Sequence, residues 1–456
     1  MPPRPSILAS AAALKSGETT SVAITEACLS RIADVAGEGS RAFIKVYANE
    51  ARAAALAADK SRVRDQVKSM LDGIPISVKD LFDIRGEITR AGSIFFDDSE
   101  DRSVTAATAD APAIARLRTA GAIIIGRTNM TEFAYGAHGT NCHYGTPLNA
   151  FDRDAKRIPG GSTSGGAVSV TDGMAIATIG SDTGGSVRIP AALTGLCGYK
   201  PTQARVPLAG AFPLSFTRDS IGPLGHTAAC CVLLDCAMAG EPIQLPNEAK
   251  LYGVKFGVPM TILLDHLAPA VERDFERALS TLSAAGATIH EFRFQELQDE
   301  YDGSQAANFS GYEGYQLHRE RLADDLAKFD PWVAKRLLLG ANIKESDYRA
   351  LRQLRNKLMA SANKTTAPYD ALLAPTVPIT APSLAELMKS EESFYRINTL
   401  LLRNSAPFNV LDRPAFSIPC HREGEAPVGL MIVGETSGDE KLQRIGITVE
   451  QALSRR

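Results

Sequence analysis

Two short stretches rich in glycine and hydroxyl groups, and one lysine in an apolar run, are where this sequence could do chemistry. The stretches are Gly160-Gly161-Ser162-Thr163-Ser164-Gly165-Gly166 and Gly180-Ser181-Asp182-Thr183-Gly184-Gly185-Ser186. Each leads toward a helical pattern: the small residues Ala167–Gly173 after the first, and Val187–Thr194 after the second. Pro190 is tolerable in the first turn of the latter, and Gly195 ends it. Glycines ahead of a helix let backbone N–H groups converge, and the helix N-terminus adds partial positive charge. Such a loop receives an anion, either a phosphate or the oxyanion of a tetrahedral intermediate. The phosphate reading, which a nucleotide-dependent ligase would need, lacks its partners. There is no G-x-x-x-x-G-K-[ST], and no G-x-G-x-x-G follows a strand. A lipase-type elbow also fails, because Thr163 and not a serine stands at the centre of Gly161–Gly165. Taken alone, a glycine-rich turn is commonly only a turn.

A serine nucleophile needs a base. The histidines at 138, 143, 226, 266, 290, 318 and 421 form no motif beside an acid, and no H-E-x-x-H is present for zinc. They read as surface or hydrogen-bonding residues. The other candidate is Lys79, inside Ile74-Pro75-Ile76-Ser77-Val78-Lys79-Asp80-Leu81. A lysine there either snorkels to the surface or is buried for a purpose. Strand alternation sends Asp80 to the opposite face, so it need not hold the ammonium charged. An ordinary lysine, with a pKa of about 10.4, is only ~0.1% neutral near pH 7.5. Burial can lower that pKa by several units, and a neutral amine can then accept a hydroxyl proton.

The elements that must position these groups alternate between strands and helices, predicting an α/β fold: a single large domain with a mixed sheet covered by helices on both faces. Strands are expected at Ile74–Leu81, Ala122–Ile125 and Met174–Gly180, with a late pair at Ala415–Pro419 and Val428–Val433. Helices are expected at Ser6–Lys15, Ser21–Val35, Ala111–Ala120, Ala228–Ala239 and Ala270–Ala285, in the charged stretch Glu313–Lys344, and from Glu440 onward. No repeat, low-complexity linker or charge block marks a boundary. The domain is read as 1–456, with N-terminal helices in 1–60, the core bearing the glycine stretches in 70–220, and the remaining sheet and pocket segments in 221–456.

Composition excludes other classes. Forty-nine Lys and Arg against 52 Asp and Glu give a net charge of −3, with no electrostatic footprint for nucleic acid or an anionic membrane face. At 45% hydrophobic and 22% charged residues the chain is an ordinary globular one. No apolar run approaches the ~18 residues of a membrane span. The apolar run Ser6–Leu14 resembles a signal segment only faintly, since one basic residue precedes it and Lys15 stops it. Seven cysteines, odd in number and without C-x-x-C spacing, read as free core residues of a protein in a reducing, cytoplasmic compartment.

These residues together closely resemble the amidase signature family. The resemblance rests on Gly73–Asp80, the two glycine stretches in their order, Gly198-Tyr199-Lys200-Pro201-Thr202, Gly126–Met130 with Glu132-Phe133, and Pro427-Val428-Gly429-Leu430. It covers nearly the whole chain. It implies a Ser–Ser–Lys triad in which Ser186 is the nucleophile, Ser162 the bridging serine, held through a cis peptide in the family, and Lys79 the base. One departure is Thr163, where the family usually has a second serine; it keeps the hydroxyl but is stiffer at χ1. Backbone N–H groups of Thr183, Gly184, Gly185 and Ser186 would hold the oxyanion, and Asp182 and Arg188 would brace the loop. The implied activity is hydrolysis of a small carboxylic acid amide, with carbamate or urea-type amides open to the same chemistry. No cofactor and no metal are implied. The expected partner is a small-molecule amide, with no nucleic acid or membrane, and a homodimer left open. Met130, Phe133 and Tyr135, with residues around Phe309–Tyr315, are candidates for lining the acyl pocket, which would favour an apolar or aromatic acyl group. The same triad serves the glutaminase component of glutamyl-tRNA amidotransferases. That rival typically carries a Glu-Ala-Ser-Ser-Asn-Leu-Ala-Arg-Tyr-Asp-like stretch, where this chain reads Asn308-Phe309-Ser310-Gly311-Tyr312-Glu313-Gly314-Tyr315.

Overall fold

Eleven strands supply the frame: β1 Phe43–Val46, β2 Pro75–Lys79, β3 Ile123–Thr128, β4 Ala177–Ser181, β5 Cys197–Lys200, β6 Ile221–Gly225, β7 Lys255–Pro259, β8 Thr288–Phe292, β9 Ala371–Pro375, β10 Ala415–Pro419 and β11 Gly429–Val433. The computed structural model describes residues 5–96, 105–247, 250–304 and 307–454. Its strands join one sheet in the order β1-β3-β2-β4-β6-β5-β10-β11-β9-β7-β8. β2 runs parallel to both β3 and β4, and β7 parallel to both β8 and β9; the central pairings are antiparallel. The result is one large α/β domain with a mixed sheet.

β2 shows how composition sets position. All five residues are buried, and the side chains alternate between faces. Ile76 and Val78 enter the largest apolar cluster with Ile114, Leu117, Ile179 and Leu233. Ser77 points the other way, its Oγ 2.8 Å from Ser169 Oγ on the helix Ser164–Thr171. Lys79, two residues on, shares the Ser77 face. Parallel strands flanked on both sides are buried on both faces, so a polar residue here needs a buried polar partner.

The helices begin and end on local signals. Ser6 and Thr20 cap Ile7–Ser16 and Ser21–Ala33, each side-chain oxygen accepting an N–H of the first turn. Thr227 does the same for Ala228–Ala239, which closes at Gly240 with φ 80°. That helix is buried along nearly its whole length, as its unbroken apolar composition requires. The charged stretch after 309 forms three helices, Phe309–Asp324, Pro331–Leu339 and Glu345–Thr366. All seven cysteines are free; Cys142 departs from the core reading by being exposed. No helix among the described residues is long and apolar enough to cross a membrane.

β5 and β6 are strands that composition hides. Their sequences, Cys-Gly-Tyr-Lys and Ile-Gly-Pro-Leu-Gly, carry loop residues. The glycines answer to crowding: a Cβ at Gly222 would lie 2.1 Å from the Tyr199 carbonyl oxygen.

Candidate active site

β2 ends at Lys79 and its neighbour β4 ends at Ser181, so the sheet itself brings the lysine to the second glycine stretch. Lys79 is fully buried. Its Nζ donates to Ser162 Oγ at 2.7 Å and to Ser181 Oγ at 2.9 Å. Burial lowers its pKa to about 7, against the opposing pull of the Asp182 and Asp219 charges. Snorkelling is therefore not what this lysine does. Asp80 takes the other face: its Oδ1 accepts from Arg127 Nε at 2.5 Å.

Ser162 sits where three segments meet. The Gly161–Ser162 peptide is cis. Gly161 N–H donates to the Ala137 carbonyl at 2.7 Å, and the Ser162 carbonyl accepts from Thr131 N–H at 3.2 Å. A Cβ at Gly161 would lie 2.6 Å from Gly139 N, so only glycine admits this approach. Thr163 packs its side chain toward Gly166 and Gly180. Its hydroxyl is buried and finds no partner among the described residues.

Asp182 organises the second loop. Its carboxylate accepts from the backbone N–H groups of Gly185, Val187 and Arg188, from Arg188 Nε and Nη2, and from Asn409 Nδ2. Burial alone would raise its pKa; the Arg188 guanidinium and the other donors instead hold it well below the usual carboxylate range. Arg188 also donates to Asn409 Oδ1 at 2.6 Å. These contacts join both ends of the segment from Asp182 to Arg188 to one another and to Asn409.

The same geometry narrows the oxyanion assignment. Gly185 N–H is occupied by Asp182 Oδ1 at 2.8 Å, so it is not an available donor. Among the described residues, no protein acceptor engages the N–H groups of Thr183, Gly184 or Ser186. Ser186 is nearly buried but lines a cavity of about 410 Å³. Ser162 and Ser186 do not hydrogen-bond directly in this conformation; their segments meet where Thr163 N–H donates to the Ser186 carbonyl at 3.3 Å.

The pocket expectations divide at one turn. Left-handed backbone at Phe133 (φ 51°) and Ala134 (φ 59°) reverses the chain. It leaves Tyr135 on the cavity wall and Phe133 in the core. Phe133 packs at 4.2 Å against His318, with Phe212 and Phe329 around it. Met130 is likewise fully buried and does not line the cavity. Both corrections share a cause: apolar side chains beside a polar turn are drawn into the core. His318 also departs from expectation, since neither ring nitrogen has a hydrogen-bond partner among the described residues. Burial takes it down to about 3, so it sits neutral among the aromatic rings. Around Phe309–Tyr315, Asn308 and Ser310 reach the cavity while Phe309 packs on Tyr348.

Several residues here carried no sequence signal. Ser181 lay in view within the second stretch, but its role toward Lys79 needs the β2–β4 pairing. Asp219, Arg218, Glu300 and Asn409 come from distant segments without a motif.

A buried lysine on a serine hydroxyl, with a second serine opening on a cavity beside N–H groups that no described residue engages, is an arrangement able to support acyl transfer. Comparison with known proteins agrees on the class. The family Amidase matches residues 23–442. The glutamyl-tRNA(Gln) amidotransferase A-subunit of Chloroflexus aggregans is 32% identical, covering 95% of this chain and 93% of its own. The 2-amino-5-chloromuconic acid deaminase of Comamonas testosteroni is 30% identical, covering 97% and 95%. A crystal structure of an amidase superposes with a TM-score of 0.85 at 34% identity, covering 98% of this chain and 99% of that one. The chain belongs to the amidase family, and it is an enzyme that hydrolyses C–N amide bonds.

Proposed function

We propose that this enzyme cleaves a small carboxylic acid amide through an acyl-enzyme on Ser186, with Ser162 relaying protons to and from Lys79. The observation that carries the reading is the 2.7 Å contact from Lys79 Nζ to Ser162 Oγ, made by a lysine whose burial holds it near neutrality at about 7. Neutral Lys79 accepts the Ser162 proton as Ser162 accepts that of Ser186. Ser186 Oγ bonds to the acyl carbon, and the N–H groups of Thr183, Gly184 and Ser186 receive the developing oxyanion. The proton returns through Ser162 to the departing nitrogen, the C–N bond breaks, and ammonia or an amine leaves. Water then adds to the ester by the same relay and releases the acid and the Ser186 hydroxyl. The Ser162–Ser186 hydrogen bond closes on substrate binding, as catalytic hydrogen bonds commonly tighten in the Michaelis complex.

A second reading rests on the amidotransferase relative: release of ammonia from glutamine, dependent on partner proteins. Carbamate or urea-type amides would use the same acyl chemistry. The purified chain and Ser186→Ala, assayed for ammonia or amine release on aliphatic amides, aryl amides, glutamine and a carbamate, separate these readings. Release from simple amides that is lost in Ser186→Ala supports a free-standing amidase. Activity on glutamine alone favours the amidotransferase role, and activity that survives Ser186→Ala overturns the triad.

A further inference from the structure

Three guanidinium groups, those of Arg218, Arg336 and Arg403, line the cavity that Ser186 opens on. Two are already engaged. Arg336 donates from Nη1 to the Tyr135 carbonyl at 2.8 Å and stacks over the Tyr135 ring at 4.4 Å. Arg403 spends Nη1 on the Asp265 carbonyl at 2.6 Å, Nη2 on the Leu263 carbonyl at 3.3 Å and Nε on Asn404 Oδ1 at 2.9 Å.

Arg218 differs. Of its five N–H donors, the protein takes one, from Nη2 to Ser310 Oγ. Its Nε is buried with no partner, and among the described residues no carboxylate lies within ion-pairing distance. The nearby Glu313 carboxylate is committed elsewhere, to the hydroxyls of Ser215, Thr217 and Tyr348. Glu300 shares the cavity; burial raises its pKa to about 7, which weakens it as a standing counter-charge. A guanidinium with buried, unspent donors is costly unless a ligand supplies the acceptor.

Its position is also fixed relative to the nucleophile. Asp219, the next residue, accepts from Thr183 Oγ1 at 2.6 Å and from the N–H groups of Leu214 and Ser215. Arg218 is thus fastened through its neighbour to the loop that carries Ser186.

We infer that the substrate bears a carboxylate remote from its amide, and that Arg218 receives it. The substrate class is then a half-amide of a dicarboxylic acid or a close relative, with apolar walls such as Leu214, Ile262 and Leu297 along the spacer. This inference rests on the amidase reading above and narrows it. Planar, two-pronged carboxylate recognition is what a guanidinium does best. A site built for a charged group discriminates strongly against analogues that lack it.

The test compares half-amides of succinic, glutaric and adipic acid with neutral primary amides of equal chain length. These are run on the wild type, Arg218→Met and Arg218→Lys, with calorimetric binding of glutarate to the wild type and Arg218→Met. The expected result is a kcat/KM at least about 100-fold higher for one half-amide than for its neutral counterpart. Arg218→Met should lose that preference, mainly through a raised KM for the half-amide. Arg218→Lys should restore part of it. Equal treatment of charged and neutral amides by wild type and variant overturns the inference and leaves the amidase reading standing. If no amide is cleaved, the amidase reading fails; glutarate binding that Arg218→Met abolishes still supports the subsite, and no binding to the wild type overturns it.

Discussion

The Thr183 hydroxyl donates to Asp219 Oδ1 at 2.6 Å. This bond ties the loop of the second glycine stretch to the segment entering β6, and Asp182 N–H with the Ser220 carbonyl adds a backbone link at 2.8 Å beside it. Thr183→Val removes the donor while nearly keeping the volume. Its expected effect is a fall in kcat of about tenfold with stability reduced by roughly 1 kcal/mol, the usual worth of one buried hydrogen bond. Thr183→Ser should recover most of the rate. Steady-state kinetics with urea unfolding of both variants checks this.

Lys79 must be neutral to accept a proton, and burial holds its pKa at about 7 despite the Asp182 and Asp219 charges nearby. The rate of acylation should therefore be low at pH 5.5, rise through about 7 and level off above 8. Lys79→Met should lose at least about 10³-fold in kcat at every pH. A profile of kcat/KM that is flat between pH 5.5 and 8 would remove Lys79 from the base role.

The same burial makes Lys79 a cost to the fold. Its pKa is depressed in the folded state from an ordinary 10.5 to about 7. Between those values the unfolded chain binds more protons, so stability rises with pH across that window. Below pH 7 the full penalty applies, about 5 kcal/mol at 1.36 kcal/mol per pKa unit. Lys79→Met should accordingly be more stable than the wild type at pH 6, with the advantage shrinking as pH climbs toward 10. Denaturant melts at three pH values read this directly, and an advantage that grows with pH contradicts it.

Arg188 and Asp182 form a fully buried ion pair. Arg188→Met would leave the Asp182 carboxylate without its main counter-charge. Breaking such a pair from one side costs about 3–5 kcal/mol. Arg188→Met should unfold at markedly lower urea concentration and lose activity, since the Ser186 loop hangs on Asp182. Arg188→Lys should recover stability only in part, because one ammonium cannot serve Asp182 and Asn409 in the fork geometry of a guanidinium.

Gly185 has φ 131°, and a Cβ there would lie 2.2 Å from Ser405 Oγ. Gly185→Ala should abolish turnover by shifting the Ser186 loop, with a stability loss of about 1–3 kcal/mol from backbone strain. Near-wild-type turnover in Gly185→Ala would mean that the loop tolerates displacement.

The two glycine stretches and the lysine in a strand of Ile and Val stood out in the sequence as candidates, but read alone they left a plain turn and a snorkelling lysine open; it was the resemblance to the amidase signature family that implied their roles. The helix at Ala228–Ala239 was legible too, because its apolar run has a Thr cap and a Gly stop. β5 and β6 were hidden, since their glycines and proline act through tertiary crowding that no local pattern records. β8 was hidden for another reason: as a sheet edge it is largely exposed and carries no apolar alternation. Met130 and Phe133 were assigned to the pocket because the resemblance implied that the loop after the Asn129 motif lines it. The left-handed turn at Phe133 and Ala134, where the chain parts Phe133 from Tyr135, is invisible in residues that seldom adopt it.

The triad candidates and their braces fall between residues 79 and 188, apart from Asn409: Lys79 ends β2, Ser162 lies just before the helix Ser164–Thr171, and Asp182, Ser186 and Arg188 follow β4. Much of the cavity wall, from Ile262 through Leu297 and Glu300 to Tyr395 and Pro407, comes from the later half of the chain. Apart from residues such as Tyr135, Leu214 and Arg218, the pocket wall is thus written in a different stretch from the triad candidates. A lineage could reshape much of that wall by editing the later stretch while inheriting the triad candidates unchanged.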